Sequence, residues 1–114
     1  MNYIFEIFDK NGRKVHLTLE RLKHIQKHPH MNDPVENIKL VLQKPLTIRY
    51  EEDEEALYFY KEFKEIDIFE RYLLVSVKYL NGEGFVITSF FTNRITGEIW
   101  KEKWIFIMMQ KEIS

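Results

Sequence analysis

Two histidines one helical turn apart are the residues of this chain whose type and spacing are best suited to chemistry. His24 and His28 stand just before Pro29, which predicts the end of the helix that carries them. The same helix has an apolar stripe, formed by Leu19, Leu22 and Ile25. At about 100° per residue, both histidines lie roughly opposite this stripe. Imidazoles titrate near neutral pH, so the pair is a candidate for proton transfer or metal binding; a solvated helix face is the alternative interpretation.

A lysine and a threonine interrupt the apolar pattern of two later strands. Lys78 shares one strand face with Ser76, and Thr88 shares a face of the next strand with Val86. If the residue numbers of paired partners sum to 164, Ser76 lies opposite Thr88 and Lys78 opposite Val86. In that register Lys78 and Thr88 project from the same face, whereas a shift of one residue separates them. Each is also an ordinary strand residue, so the pairing register decides whether they form a site.

Five further residues are candidate substrate contacts. Tyr58 and Tyr60 share one face of their predicted strand and are suited to stacking on a base. Arg49 and Arg94, each near a strand end, are candidate phosphate contacts, and Ser89 follows Thr88 directly. Core or surface packing is the alternative role for the tyrosines, and an ordinary surface position is the alternative for the arginines.

The N-terminal part of the chain predicts a β-hairpin followed by two short helices. Asp9-Lys-Asn-Gly12 lies between two short apolar runs, which is a strong hairpin signal. Thr18 is a natural N-cap for a first helix from Leu19 to about His28. Asp33-Pro34-Val-Glu36 repeats the pattern of a helix start, with Asp33 as N-cap, and Pro45 ends this second helix.

From Leu46 onward the apolar period changes to two, which predicts strands. The predicted strands are 46–50, 57–63, 72–79 and 85–91. Asn81-Gly-Glu-Gly84 predicts a hairpin between the last two, and 98–106 could extend the sheet, while 107–113 could be strand or short helix. We therefore expect an α+β fold in which two short helices pack on a mainly antiparallel β-sheet, with an N-terminal β-hairpin.

Composition and charge narrow the class of protein. One domain accounts for residues 1–114, no cysteine is present, and no segment approaches the roughly 20 apolar residues of a membrane span, so a cytoplasmic location is expected. The net charge is −1, but five acids are concentrated in Glu51–Glu55, which we interpret as a solvated loop. The rest of the chain is therefore basic enough to permit a basic patch.

Several short motifs follow one another along the chain. They are Phe8-Asp-Lys-Asn-Gly12, Leu17-Thr18, Glu20-Arg-Leu-Lys-His24-Ile25, His28-Pro29, Leu42-Gln-Lys-Pro45, Tyr58-Phe-Tyr60, Val75-Ser-Val-Lys78 and Val86-Ile-Thr88-Ser-Phe90. In this order and spacing they resemble the phage-type Barnase–EndoU–colicin–RelE-like nucleases, over roughly residues 5 to 100. The resemblance implies small helices on an antiparallel sheet, and metal-independent cleavage of RNA without a cofactor. RNA is then the expected partner, and a neutralising protein partner, as for a toxin-like nuclease, is an open alternative; a membrane is not expected.

The resemblance matches the family's helix histidines to His24 and His28, its strand lysine to Lys78 and its threonine to Thr88. Two positions depart from the family pattern. His30 stands where an acid commonly follows His-Pro, and Ser89-Phe90 stands where Ala-Tyr commonly follows the threonine, so a candidate catalytic hydroxyl is missing.

The expected reaction is attack of a ribose 2′-hydroxyl on the adjacent phosphate. It needs a base, an acid and positive charge near the phosphate. His24 is the preferred acid or base and His28 the second, while Lys78 would stabilise charge and Thr88 would orient the phosphate. An RNA- or protein-binding module of the same fold without activity is one alternative. A zinc site of His24 and His28, with a third ligand from His30 or His16, is the other.

Overall fold

Two helices pack on a mainly antiparallel sheet, which confirms the predicted α+β fold. The computed structural model describes residues 3–64 and 71–99. The helices are α1 (Leu19–Ile25) and α2 (Pro34–Gln43). The strands in these residues are β1 (Tyr3–Phe8), β2 (Lys14–Thr18), β3 (Thr47–Glu51), β4 (Ala56–Glu62), β5 (Tyr72–Leu80), β6 (Glu83–Thr92) and β7 (Glu98–Ile99). None of the described helices is long and apolar enough to cross a membrane.

The sheet combines the predicted meander with a parallel junction that the sequence did not reveal. Its strand order is β1-β2-β6-β5-β4-β3-β7, in which β3 to β6 form consecutive antiparallel pairs. The N-terminal hairpin joins this meander through two parallel pairs, Val15↔Gly84 and His16↔Phe85. At the other edge, β7 extends the sheet beside β3; the remainder of the predicted extension, 100–106, and 107–113 lie outside the described residues.

Helix α1 starts where predicted but ends earlier. The hydroxyl of Thr18 accepts a hydrogen bond from the Arg21 amide at 3.2 Å, so Thr18 is the N-cap. The helix ends at Ile25 rather than near His28. After it, the amide of His28 donates to the carbonyl of Ile25 at 3.0 Å, a tighter three-residue step of the kind common at helix ends. His28 therefore lies in a turn just beyond α1.

Helix α2 also starts at the predicted residue, but its cap differs from the prediction. Asp33 adopts a left-handed backbone with φ of 48°, and its side chain makes no capping hydrogen bond. The side-chain amide of Asn37 instead donates to the carbonyl of Asn32 at 3.0 Å. The helix buries one stripe against the sheet, formed by Ile38, Val41 and Leu42.

The hairpin between β5 and β6 is tighter than the predicted four-residue turn. Leu80 pairs with Glu83, so Asn81 and Gly82 alone form the turn, with φ of 53° and 83°. These positive angles are those of a type I′ turn, which Asn-Gly favours. Gly84 continues β6, where a Cβ atom would lie 2.9 Å from Cε1 of Tyr79 and from Cγ1 of Val77. Only glycine fits this position without moving its neighbours.

A β-bulge at Ile87 changes the register within this hairpin. Partner numbers sum to 164 as far as Ser76↔Thr88, and then to 163 from Val77↔Val86 onward. Lys78 therefore lies opposite Phe85, and not opposite Val86 as it would if the 164 register continued to the turn. The extra residue reverses the alternation of β6, so Phe85 and Thr88 share a face, whereas the sequence pattern put them on opposite faces.

The core lies between the helices and one face of the sheet. Its strand residues include Leu57, Phe59, Leu73, Val75, Val77 and Val86, and its helix residues include Leu22, Ile25, Ile38, Val41 and Leu42. In the acidic segment, Glu52–Glu54 forms a single 3-10 turn whose side chains are exposed, while Glu51 belongs to β3.

Candidate active site

The turn after α1 brings His28 onto strand β6. The imidazole of His28 packs on the ring of Phe90, with 5.6 Å between centroids. The ring of His24, one turn earlier in the chain, contacts His28 edge-on at 5.4 Å. His24 is exposed and His28 is half-buried. The two predicted histidines therefore lie together where α1 meets the sheet.

One nitrogen of His28 has no hydrogen-bond partner in the described part of the chain. Its Nε2 atom is buried and has no hydrogen-bond partner among the described residues. A buried polar atom without a partner is costly, and such atoms are commonly found where a ligand or water completes the bonding. Nε2 is thus a free proton donor or acceptor beside β6.

Lys78 and Thr88 lie on one face of the sheet, the arrangement on which a shared site depends. Thr88 pairs with Ser76, and Lys78 is two residues further along β5, so both project from the same face. Phe90 is two residues from Thr88 on β6, about 7 Å away, and also points to this face. Lys78 is exposed and Thr88 half-buried. We call His24, His28, Thr88 and Lys78 the α1–β6 site. Within it, Lys78 is four residues, about 13 Å, along β5 from Leu74, which pairs with the Phe90 that His28 contacts.

A row of polar side chains continues from Thr88 across the sheet. Arg49 pairs with Tyr58, Tyr58 with Ser76, and Ser76 with Thr88, so all four lie on one face. Three strand spacings separate Arg49 from Thr88, which is about 14 Å. The guanidinium of Arg49 donates to Oγ1 of Thr47 at 3.2 Å. Arg49 is consequently distant from the histidines.

The hydroxyl of Tyr58 is already engaged. It donates to Oε2 of Glu54 at 2.6 Å. Burial, followed by this hydrogen bond and by the charges of Glu54 and Glu51, raises the pKa of Tyr58 well above its usual range. Tyr58 therefore stays protonated at neutral pH, and its half-buried ring is what it offers to a ligand.

Two of the predicted substrate contacts, Tyr60 and Ser89, are buried and therefore cannot touch a ligand at the surface. Tyr60 is 1% exposed, and its hydroxyl accepts a hydrogen bond from the Thr96 amide at 3.3 Å, so its ring has no face for a base. Ser89 is 0% exposed, because it pairs with Val75 on the core face, where its hydroxyl donates to the carbonyl of Leu74 at 2.8 Å. Arg94 is exposed in the loop after β6 and forms no ion pair within residues 3–64 and 71–99.

The other two histidines do not join the site. His30 is exposed in the turn before α2, with φ of 64°. His16 is buried between the rings of Tyr3 and Phe85, where β2 meets β6. In the described part of the chain, no group of three or more His, Asp or Glu side chains comes together in a way that could hold a metal ion.

Sequence reasoning missed the two phenylalanines that organise this region. Phe90 supports His28, and Phe85 supports His16, yet both read as ordinary apolar strand residues. The face of Phe85 depends on the bulge at Ile87, for which no glycine or proline gives a signal.

The chain shows no significant match to a protein-family profile, a curated protein or a solved structure.

Proposed function

We propose that this protein is a metal-independent endoribonuclease that cleaves RNA by attack of a ribose 2′-hydroxyl on the adjacent phosphate. The observation that carries the proposal is the contact of His28 with Phe90. His28, whose Nε2 has no partner among the described residues, thereby contacts a strand residue two positions from Thr88, on the face of the sheet that also bears Lys78. A proton carrier, a hydroxyl and a cation thus lie along one face of the sheet, and these are the groups that the reaction requires.

The two imidazoles take the acid and base roles. One neutral ring removes the proton of the 2′-hydroxyl as the new oxygen–phosphorus bond forms. The other ring, protonated, gives its proton to the 5′-oxygen as the old bond breaks, leaving a 2′,3′-cyclic phosphate and a 5′-hydroxyl. The free Nε2 makes His28 at least the equal of His24 in this pair.

Lys78 and Thr88 act on the phosphate. The exposed ammonium of Lys78 stabilises the negative charge that builds up on the pentavalent phosphate, and the hydroxyl of Thr88 donates a hydrogen bond to one of its oxygens. RNA is the substrate because DNA lacks the attacking hydroxyl.

The test is incubation of the full chain with single-stranded RNA in excess EDTA. We expect cleavage that continues in EDTA, products ending in a cyclic phosphate, and no cleavage of DNA of the same sequence. His24→Ala and His28→Ala should each abolish most of the activity, whereas His30→Asn should retain it, since asparagine tolerates the positive φ of this exposed position. A requirement for a metal ion, or a product with a free 3′-hydroxyl, would contradict the mechanism.

One observation favours a second function, an RNA-binding module of the same fold that does not cleave. Phe90 brings a ring but no hydroxyl to the contact with His28, and the hydroxyl of Ser89 is buried in the core. The site then has one sheet hydroxyl fewer than the nucleases it resembles. Tight RNA binding without any cleavage by the unmodified chain, undiminished in His24→Ala, would support this second function.

A further inference from the structure

A groove opens between the first turn of α1 and the β5–β6 hairpin. Its volume is about 550 Å³. Leu19, Glu20 and Arg21 form the helix wall, and Leu80, Phe85 and Ile87 are on the strand wall. Leu80 is 56% exposed and Leu19 is 38% exposed, so the groove presents apolar side chains directly to solvent.

The elements that form both walls of the groove also carry residues of the α1–β6 site. On the strand wall, Phe85 pairs with Lys78, and the bulge at Ile87 puts Phe85 on the face that carries Thr88. About 10 Å of strand separates Phe85 from Thr88. On the helix wall, Glu20 and His24 are four residues apart and therefore lie on one side of α1. A chain bound at the histidines could extend into the groove without crossing another element.

The lining suits a nucleotide, with its base and phosphate, better than it suits a purely apolar ligand. Phe85 offers an aromatic ring, already held on one side by stacking with His16 at 4.9 Å. Arg21 brings a guanidinium to the helix wall beside the carboxylate of Glu20, and Lys78, on the neighbouring strand outside the lining, pairs with Phe85. Apolar and aromatic side chains flanked by cations are how proteins bind single-stranded bases together with their phosphates.

We propose that this groove binds the nucleotide next to the cleaved phosphodiester in single-stranded RNA. The base lies against Leu19, Leu80 and Phe85, and Arg21 contacts its phosphate. This inference rests on the proposed function, but it concerns binding, which can be measured where no bond is broken.

The probe is a fluorescent 2′-O-methyl oligonucleotide of five residues, which lacks the attacking hydroxyl and so binds without being cleaved. Leu80→Glu puts a negative charge in the groove and should weaken binding about tenfold, the effect expected for losing one stacked base. Leu46→Glu is the matched control, since Leu46 is 60% exposed and lies outside the groove. Arg21→Gln should also weaken binding and reduce its salt dependence, whereas exposed Arg71→Gln should do neither.

A second measurement uses the unaltered chain and does not depend on how the variants fold. Methyl resonances of Leu19 and Leu80 should shift on titration with the oligonucleotide, and that of Leu46 should not. Equal affinities for Leu80→Glu and Leu46→Glu, or unshifted groove methyls, would overturn the inference. Binding in the groove without cleavage of ordinary RNA would sustain the inference while refuting the nuclease. Cleavage of ordinary RNA with unshifted groove methyls would support the nuclease and refute binding in the groove.

Discussion

His16 and His28 both pack on a phenylalanine of β6, yet their surroundings differ in almost every other respect. His16 contacts Phe85 at 4.9 Å and His28 contacts Phe90 at 5.6 Å. His16 is 3% exposed, with Tyr3 stacked on its other side at 4.4 Å. His28 is half-buried, and its other ring neighbour is a second histidine, His24.

The two histidines differ most in the carboxylates that surround them. Nε2 of His16 lies 3.2 Å from Oε1 of Glu83, and its Nδ1 lies 3.7 Å from Oε2 of Glu6. We call these residues, with Tyr3 and Phe85, the hairpin junction. In the described residues no carboxylate forms an ion pair with His28. An imidazole held between two rings and two acids fastens one strand to another, whereas one without an acid partner can exchange protons with a ligand.

The largest effect should come from removing the free histidines. His24→Ala or His28→Ala should lower ribonuclease kcat by about 10²–10⁴-fold, the contribution of an acid or base group. The free energy of unfolding should change little for His24→Ala, because the side chain is exposed. Kinetics and urea unfolding of the same preparations check this. Full activity of both variants would mean that His28, like His16, has no part in the reaction.

A smaller loss is expected for the cation of the α1–β6 site. Lys78→Met keeps the apolar stem but removes the charge, and should lower kcat about 10²-fold through lost stabilisation of the phosphate. Lys10→Met is the control, since Lys10 is an exposed lysine in the turn between β1 and β2. Steady-state kinetics separate kcat from KM. A loss confined to KM, or shared by Lys10→Met, would mean that Lys78 attracts RNA without taking part in the reaction.

The opposite pattern, lost stability with retained chemistry, is expected for His16. His16→Ala empties the space between Tyr3 and Phe85 and leaves Glu83 without its partner, which should cost about 2–4 kcal/mol in the free energy of unfolding. His16→Phe restores the ring and should recover part of this loss. Urea unfolding measures both. Unchanged stability together with lost cleavage would show that His16, too, serves the reaction.

The smallest effect concerns the buried pair beside the hairpin junction. The hydroxyl of Tyr79 donates to Oδ2 of Asp9 at 2.9 Å, and burial, then the Asp9 carboxylate, raises the pKa of Tyr79 well above its usual range. The unfolded tyrosine loses its proton near pH 10 while the folded one keeps it, so this stabilisation is complete below about pH 10 and declines above it. Tyr79→Phe should lower the free energy of unfolding by about 1–2 kcal/mol at neutral pH and weaken its decline at alkaline pH.

Tyr58→Phe is the matched control for that measurement. Its hydroxyl also donates to a carboxylate, that of Glu54, but at an exposed site. We therefore expect a smaller loss of stability than for Tyr79→Phe. Equal losses would indicate that burial of the Asp9–Tyr79 pair adds nothing.

The features that could be predicted from the sequence are those set by residues close together in the chain. Thr18 caps α1 as expected, and the period-two segments became β3 to β6, because hydrogen-bonding side chains and alternation act over a few residues. The bulge at Ile87 and the parallel pairing of β2 with β6 arise from packing between distant segments, so no local pattern signals them. The bulge sets the face of Phe85 relative to that of Thr88. Consequently the shared face of Lys78 and Thr88 could be proposed from sequence, but the shared face of Phe85 and Thr88 could not.

The short parallel junction also has a consequence for the order in which the chain folds. Val15 and Gly84 meet in space but are roughly 70 residues apart in sequence, and only one further pair joins β2 to β6. The meander of β3 to β6 needs only contacts between consecutive strands, so it should form first, with the N-terminal hairpin docking afterwards. Since α1 follows β2 directly, the histidines would reach β6 only in this last step. Amide hydrogen exchange should then show β2 and α1 opening more readily than β4 and β5, so that the α1–β6 site is the last part to assemble and the first to come apart.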